Sequence, residues 1–231
     1  MKFKERLLQG SLIKRYKRFF ADIKYKNKTI TAHCPNSGSM KGLLDVGNIV
    51  WFSESTDPKR KLKYTLQIIK VGGKLVGINT HLTNKIILES LKEKKIESLK
   101  KFINIKPEVK ISDKTRFDFL ITNNKTKCFL EVKNVTMVRK NNIAEFPDAV
   151  TARGTKHLNE LISVKKKGYE SYILFLIQRE DCVSFKIAED IDSTYKNAFD
   201  MALKNGVKIL CYDCKLNNKE IKINNKINYE Y

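Results

Sequence analysis

The sequence predicts a mixed α/β protein: an all-strand N-terminal part, a small barrel or sandwich, followed by an α/β layered part. Three observations predict it. Short apolar or β-branched runs recur through the first eighty residues, with turn-forming residues between them. From His81 onward, helical periodicities alternate with strand-like runs. The continuous apolar run YILFLI at 172–177 has the character of a strand covered on both faces.

The N-terminal runs lie at 7–13, 19–25, 29–34, 49–52, 64–71 and 75–78, and Gly72-Gly73 supplies a two-residue hairpin turn. PNSGSMKGLL at 35–44 interrupts them as a polar turn leading into a short helix. In TNKIILESLK at 83–92, Ile86, Ile87 and Leu91 share a helix face, with Thr83 or Asn84 as the cap. Strands are expected at 110–111, 117–121 and 128–138. A long helix should run from Asp148, placed to cap it just after Pro147, to about Lys166, with Leu158, Leu161, Ile162 and Lys165 on one side. Residues 193–205 form a further helix ending at Gly206, and 207–212 a last strand. The change of character places a domain boundary near residue 80, giving domains 1–80 and 81–231.

Composition sets the limits. With 231 residues, 42% of them hydrophobic and 10% aromatic, the chain can bury a core, which excludes a disordered tail protein. No stretch approaches the ~20 apolar residues of a membrane helix, and MKFKERLLQGSLIKRYKRFF has charge in every short apolar run. The expectation is a cytoplasmic protein without membrane contact. Net charge is +21 and the pI about 9.7, a field that attracts polyanions, nucleic acid above all. Only eight of the 46 basic residues are arginine, so lysine bias in composition accounts for part of that excess. Five cysteines, an odd number, argue against a disulfide framework. The lone C-x-x-C at Cys211 and Cys214 lacks the second pair that structural zinc needs, and it lies late in a strand-like run. Neither G-x-x-x-x-G-K-[ST] nor G-x-G-x-x-G occurs, so no nucleotide cofactor is expected.

The chemistry concentrates in two strands. In CFLEVK, Leu130 and Val132 alternate with Phe129, Glu131 and Lys133, so a carboxylate and an ammonium stand on one face. In RFDFL, Phe117 and Phe119 go one way and Asp118 the other. A hairpin-like connection at 122–127 lets the strands pair antiparallel and brings Asp118 beside Glu131. Two carboxylates in an apolar setting repel each other, and desolvation penalises both. A hard divalent cation, Mg2+ or Mn2+, removes both costs when two carboxylates, water and phosphate oxygens surround it. Asp118 and Glu131 would hold that metal, with Glu108 as an outer carboxylate of the same site. Lys133 would orient or deprotonate the attacking water or stabilise charge on the phosphate. The plain alternative is an ordinary cross-strand salt-bridge network, with Asp118 paired to Arg116.

Further basic residues suit a polyanion. Arg153, Lys156, His157 and Glu160 share a helix face, which fits backbone phosphates or, equally, a solvated surface. Arg15, Lys17 and Arg18 surround Tyr16 in IKRYKRFFADI, a pattern that stacks bases or guards an edge strand. Asn36 and Ser37, with Lys41 close by, sit in a turn able to present backbone N–H groups to a phosphate.

The segments LIKRYKRFFADI, AHCPNSGSMKG, RFDF, LEVKNVT, FPDAVTARGTKHLNEL and FLIQR closely resemble the sugar fermentation stimulation protein A family over almost the whole chain. That resemblance implies an N-terminal OB-like barrel followed by a restriction-endonuclease-like, or PD-(D/E)xK, α/β domain with a mixed central sheet. It also implies DNA binding and a link to sugar, specifically maltose, metabolism. On the superfamily pattern Asp118 matches the first acid, Glu131 and Lys133 the (D/E)-x-K, and Glu108 the upstream carboxylate more loosely, while Phe117 stands where proline is frequent. Two functions compete: Mg2+-dependent hydrolysis of DNA, and non-catalytic DNA binding by a regulator. Double-stranded DNA is the expected partner, with single-stranded DNA or RNA as alternatives. No heptad or apolar patch speaks to oligomeric state.

Overall fold

The computed structural model describes residues 1–112 and 115–230. Six strands form the N-terminal part: β1 (Leu8–Tyr16), β2 (Phe20–Tyr25), β3 (Lys28–His33), β4 (Ile49–Glu54), β5 (Tyr64–Val71) and β6 (Lys74–Gly77). They run in the order β3-β2-β1-β4-β5-β6, and a parallel pairing of β3 with β5 (Ala32↔Tyr64, His33↔Thr65) closes the first five into a barrel. Closure removes the unpaired edges an open sheet would carry. The inward alternation of Leu12, Ala21, Ile23, Ala32, Val50, Phe52 and Leu66 fills the interior, all fully buried. Barrel, not sandwich, is therefore the outcome. Residues 35–47 contain turns but no helix, and Arg15 and Asp148 bond the segment 36–40 instead.

Beyond the barrel come α1 (Thr83–Lys92), β7 (Asn104–Ser112), β8 (Thr115–Thr122), β9 (Lys127–Val135), β10 (Met137–Val138), β11 (Ile143–Phe146), α2 (Ala152–Lys166), β12 (Glu170–Ile177), β13 (Ser184–Ile187), α3 (Ser193–Lys204), β14 (Lys208–Leu216), β15 (Ile221–Lys226) and β16 (Asn228–Tyr229). The central sheet has the order β15-β14-β12-β9-β8-β7, parallel through β9, β12 and β14 and antiparallel at both edges. A small second sheet, β10-β11-β13-β16, lies beside it. One face of the central sheet packs on α1 through Phe119, Leu130, Leu174 and Leu210 against Ile86 and Ile87. The other packs on α2 and α3 through Phe129, Ile173 and Phe175 against Leu158, Leu161 and Phe199. Both faces are covered, as the continuous apolar run of β12 requires. Cys211 and Cys214 point to opposite faces of β14 and are free, like the other three cysteines.

Two expectations need correction. The helix expected from Asp148 starts at Ala152, with the Thr151 side chain accepting from the Gly154 N–H at 3.1 Å as its cap. Asp148 instead reaches the barrel, accepting from the Met40 N–H and the Ser39 hydroxyl, each at 3.2 Å. Phe117 and Phe119 do not share a face: Phe117 packs with α2 and α3, and Phe119 with α1. The alternation of β8 breaks at the residue between them, Asp118.

Candidate active site

The break in alternation builds the site. The β8–β9 ladder runs from Thr122↔Lys127 to Phe119↔Leu130. Beyond it, the Val132 N–H donates to Asp118 Oδ2 at 2.7 Å, so a side-chain carboxylate takes a bond of the ladder. The other oxygen of Asp118 accepts from Asn84 Nδ2 at 2.7 Å, which ties α1 to the same point. Neither Thr83 nor Asn84 caps α1, which begins after Leu82 without a side-chain cap; the bond from Asn84 to Asp118 depends on the three-dimensional approach of α1 and leaves no mark in the sequence.

Glu131 stands on β9 beside it, 2% exposed. Its Oε1 accepts from Lys133 Nζ at 2.6 Å and from His157 Nδ1, while Arg153 Nε donates to His157 Nε2 at 3.5 Å. Nδ1 of His157 thus faces Glu131 and Nε2 faces Arg153. Glu131 Oε2 is buried and has no hydrogen-bond partner among the described residues. An unpartnered buried carboxylate oxygen is one that a donor or a cation would satisfy.

The electrostatics separate the two acids. Burial raises the Asp118 carboxyl to about 6, helped by the negative charge of Glu131; the Val132 N–H, Asn84 and Lys133 oppose it. Burial pushes Glu131 up as well, but Lys133 and His157 outweigh it and hold the carboxyl below its ordinary value. A divalent cation would meet Asp118 and Glu131 as its protein carboxylates. Among the described residues no group of three or more His, Cys, Asp or Glu is placed to bind a metal, so water and substrate oxygens would complete the shell.

The other candidate residues fall into several settings. Glu108 lies across from Asp118 in the β7–β8 register, but its side chain is 57% exposed and pairs with Arg116 at 3.5 Å, so it stands outside the cluster. His157 is not on the solvated helix face: it is buried against Glu131 and edge-on to Phe117. Arg153 is exposed and Lys156 half-buried on that helix. Arg15 is occupied internally, donating to the carbonyls of Asn36 at 2.8 Å, Gly38 at 2.9 Å, Ser39 at 3.3 Å and Arg18 at 2.9 Å. Tyr16 stacks on Phe20 and donates to Asp22 at 3.3 Å. Asn36 is buried, its amide donating to the Ile78 carbonyl and accepting from the Gly38 N–H. Ser37 and Lys41 are exposed, as are Lys17 and Arg18. Asn36, Ser37, Thr80, Asn134 and Asp148 line a cleft between barrel and sheet that begins one residue past Lys133.

A closed five-strand barrel joined to a mixed sheet with a buried and a half-buried acid and a lysine at its centre defines an OB-barrel protein fused to a restriction-endonuclease-like domain. Two family models match in that order: the SfsA N-terminal OB domain over residues 13–78 and the sugar fermentation stimulation protein RE domain over residues 81–220. The chain belongs to the sugar fermentation stimulation protein family. A relative from Pelagibacter ubique, described as a sugar fermentation stimulation protein homolog, is 57% identical, covering 98% of both chains. A Caulobacter vibrioides homolog is 43% identical over 96% of this chain and 93% of its own. The structure of Pyrococcus furiosus SfsA in complex with Ca2+ has the same fold, with a TM-score of 0.90, 24% identity, and coverage of 100% of this chain and 98% of that one. No helix among the described residues is long and apolar enough to cross a membrane.

Proposed function

We propose that this protein binds DNA and hydrolyses its phosphodiester bonds with a divalent cation held by Asp118 and Glu131. The observation that carries the proposal is the placing of these two acids side by side, Glu131 buried and Asp118 half-buried, with Lys133 2.6 Å from Glu131 and Glu131 Oε2 left without a partner. A bound Mg2+ or Mn2+ would polarise a phosphoryl oxygen and generate hydroxide from water at neutral pH. The protein groups do the positioning. Asn84 and the Val132 N–H fix both oxygens of Asp118, and His157 fixes Glu131. The Lys133 ammonium, 13% exposed, is placed to stabilise negative charge building on the phosphate. Exposed Arg153 and Lys41 and the +21 net charge supply contacts for the phosphate backbone. The Pyrococcus protein of the same fold is described in complex with Ca2+, which agrees with a divalent cation in this reading. Glu108 would join it only if its side chain left Arg116.

One observation favours the other reading, DNA binding without turnover, in a family named for sugar metabolism. Glu131 Oε1 is already satisfied by Lys133 and His157, a pairing that could serve structure alone. Incubation with supercoiled, linear, single-stranded and branched DNA, with and without Mg2+ or Mn2+, separates them. Metal-dependent cleavage is expected, and Lys133→Ala should lower it by at least about 100-fold while binding persists. A wild-type protein that binds these substrates and leaves all of them intact rules out the nuclease.

A further inference from the structure

The β1–β2 turn holds an unusual surface. Lys17 and Arg18 are consecutive and both left-handed, at φ 46° and 61°, where non-glycine residues are uncommon. Two bonds pin the turn in this shape: Arg15 Nε donates to the Arg18 carbonyl at 2.9 Å, and the Cys34 N–H to the Phe19 carbonyl at 2.8 Å. The result leaves the Phe19 ring 44% exposed, flanked by two exposed cations. Strain retained to display an apolar ring in water points to a ligand for that ring.

Phe19 does not stand alone. Its ring lies 6.5 Å from that of His33 at the end of β3, tilted by 30°. His33 lies 6.3 Å from His81, in the short helical turn that links barrel to sheet. Arg60, on the segment between β4 and β5, donates to Thr65 at 3.0 Å, and Thr65 pairs with His33. Lys59, Arg60 and Lys61 are all exposed there, with Asp57 the carboxylate nearest in sequence, its side chain occupied by the Lys59 N–H at 2.9 Å. At its far end, the row of rings arrives three residues before Asn84, which holds Asp118.

We propose that Phe19, His33 and His81 form a stacking platform for the bases of an unpaired DNA strand, whose phosphates follow Lys17, Arg18 and Arg60 and lead toward Asp118 and Glu131. This rests on the DNA-binding reading above and narrows it to single-stranded or partly unwound DNA, in place of the plain duplex expected from the sequence. The chemistry selects that ligand because a base offers its π-face only when it is unpaired, whereas phosphates are common to both forms. Barrels of this type also take oligonucleotides between the first and fourth inter-strand loops, the two loops that carry Phe19 and Arg60 here.

The test is a set of affinities by fluorescence anisotropy, on the full chain in EDTA at fixed salt. The probes are a labelled 20-nucleotide single strand, a blunt duplex of the same length, and a single strand of abasic sites. Wild type should bind the normal single strand most tightly. Phe19→Ala and His81→Ala, both at exposed positions, should each weaken that binding about 10-fold and change duplex binding less than about 2-fold. Phe19→Trp should keep the affinity, and the abasic strand should bind wild type no better than the normal strand binds Phe19→Ala. Equal losses on single strand and duplex, or no loss on either, overturn the platform while DNA binding stands. A wild type that binds none of the probes overturns the DNA reading itself.

Discussion

At the scale of single residues, the two acids of the site act in opposite directions on stability, and that difference is measurable without any substrate. The Asp118 carboxyl, raised by burial and by Glu131 to about 6, is held above its unfolded value. A group shifted in this sense gives stability that is fully present below the unfolded pKa and lost as pH rises through about 6. Above that pH the ionised Asp118 costs ~3 kcal/mol. Asp118→Asn removes the charge and keeps an oxygen for the Val132 N–H, and Asn84 can turn its own amide to match. In urea denaturation with EDTA it should be ~1–3 kcal/mol more stable than wild type at pH 7.5, the gain shrinking toward pH 4. A variant less stable at pH 7.5 would mean that the carboxylate is paid for by bonds stronger than its repulsion. Glu131 is shifted the other way, because Lys133 and His157 outweigh its burial, so its contribution is present above the unfolded pKa and lost as pH falls through the folded one. Glu131→Gln removes the carboxylate bonded to the nearly buried Lys133 ammonium, leaving it only the charge of Asp118, and should cost ~3 kcal/mol at pH 7.5. Equal stability in the same denaturation series would show the pair to be well solvated. The closeness of Asp118, Glu131 and Lys133 is legible in the sequence because their spacing on two apolar strands is local. His157 was placed on the wrong side of its helix, although His157, Leu161 and Val164 keep the i, i+4, i+7 spacing of a buried stripe.

At the scale of elements, the long periodic segments were legible and the short ones were not. The five barrel strands, α1, α3 and β12 carry enough residues for an alternation or a helical period to stand out, and β6, four residues long, is marked by the Gly72-Gly73 turn before it. The small sheet does not: β10 and β16 have two residues each, and β11 and β13 four, too few for any period. The start of α2 was misplaced for a different reason. Asp148 and Thr151 are both good caps in sequence, and the choice falls to Thr151 because the barrel captures Asp148. A second cap ties the helices together. Asp192 Oδ1 accepts from the Tyr195 N–H at 2.9 Å, capping α3, while its Oδ2 accepts from the Thr151 N–H at 2.8 Å, at the entrance to α2. Both bonds are largely shielded from water, since Asp192 is buried. Asp192→Ala should therefore cost ~2–3 kcal/mol, more than the ~1 kcal/mol of an ordinary cap. Hydrogen exchange should show the first turns of α2 and α3 opening together. Faster exchange in α3 alone would show that Asp192 serves one helix.

At the scale of the whole molecule, the question is what holds a barrel and a sheet in one arrangement, since a strand crossing from Phe19 to Asp118 needs both in place. The backbone of β6 meets the end of β12 where the Gly77 N–H donates to the Gln178 carbonyl at 2.8 Å. A side-chain polar contact is made at the loop 36–40. Arg15 gathers its carbonyls from the barrel side, and Asp148 takes its Ser39 hydroxyl and Met40 N–H from the sheet side. Gly38 makes that approach possible: a Cβ there would stand 2.5 Å from Asp148 Oδ2 and 2.8 Å from Oδ1. Gly38→Ala must push the carboxylate away, which also strips the buried Met40 N–H of its acceptor, and should cost ~1–3 kcal/mol. Asp148→Ala strips the same N–H but leaves room, so the two changes damage one contact and their costs cannot add. The double variant should be at least ~0.5 kcal/mol more stable than the sum of the singles predicts, measured by denaturation of the full chain. Additive costs would mean that the loop and Asp148 move independently, and that the arrangement of the two domains rests on the backbone contact at Gly77 and Gln178 and on the apolar packing of Leu7 and Ile68 against the sheet.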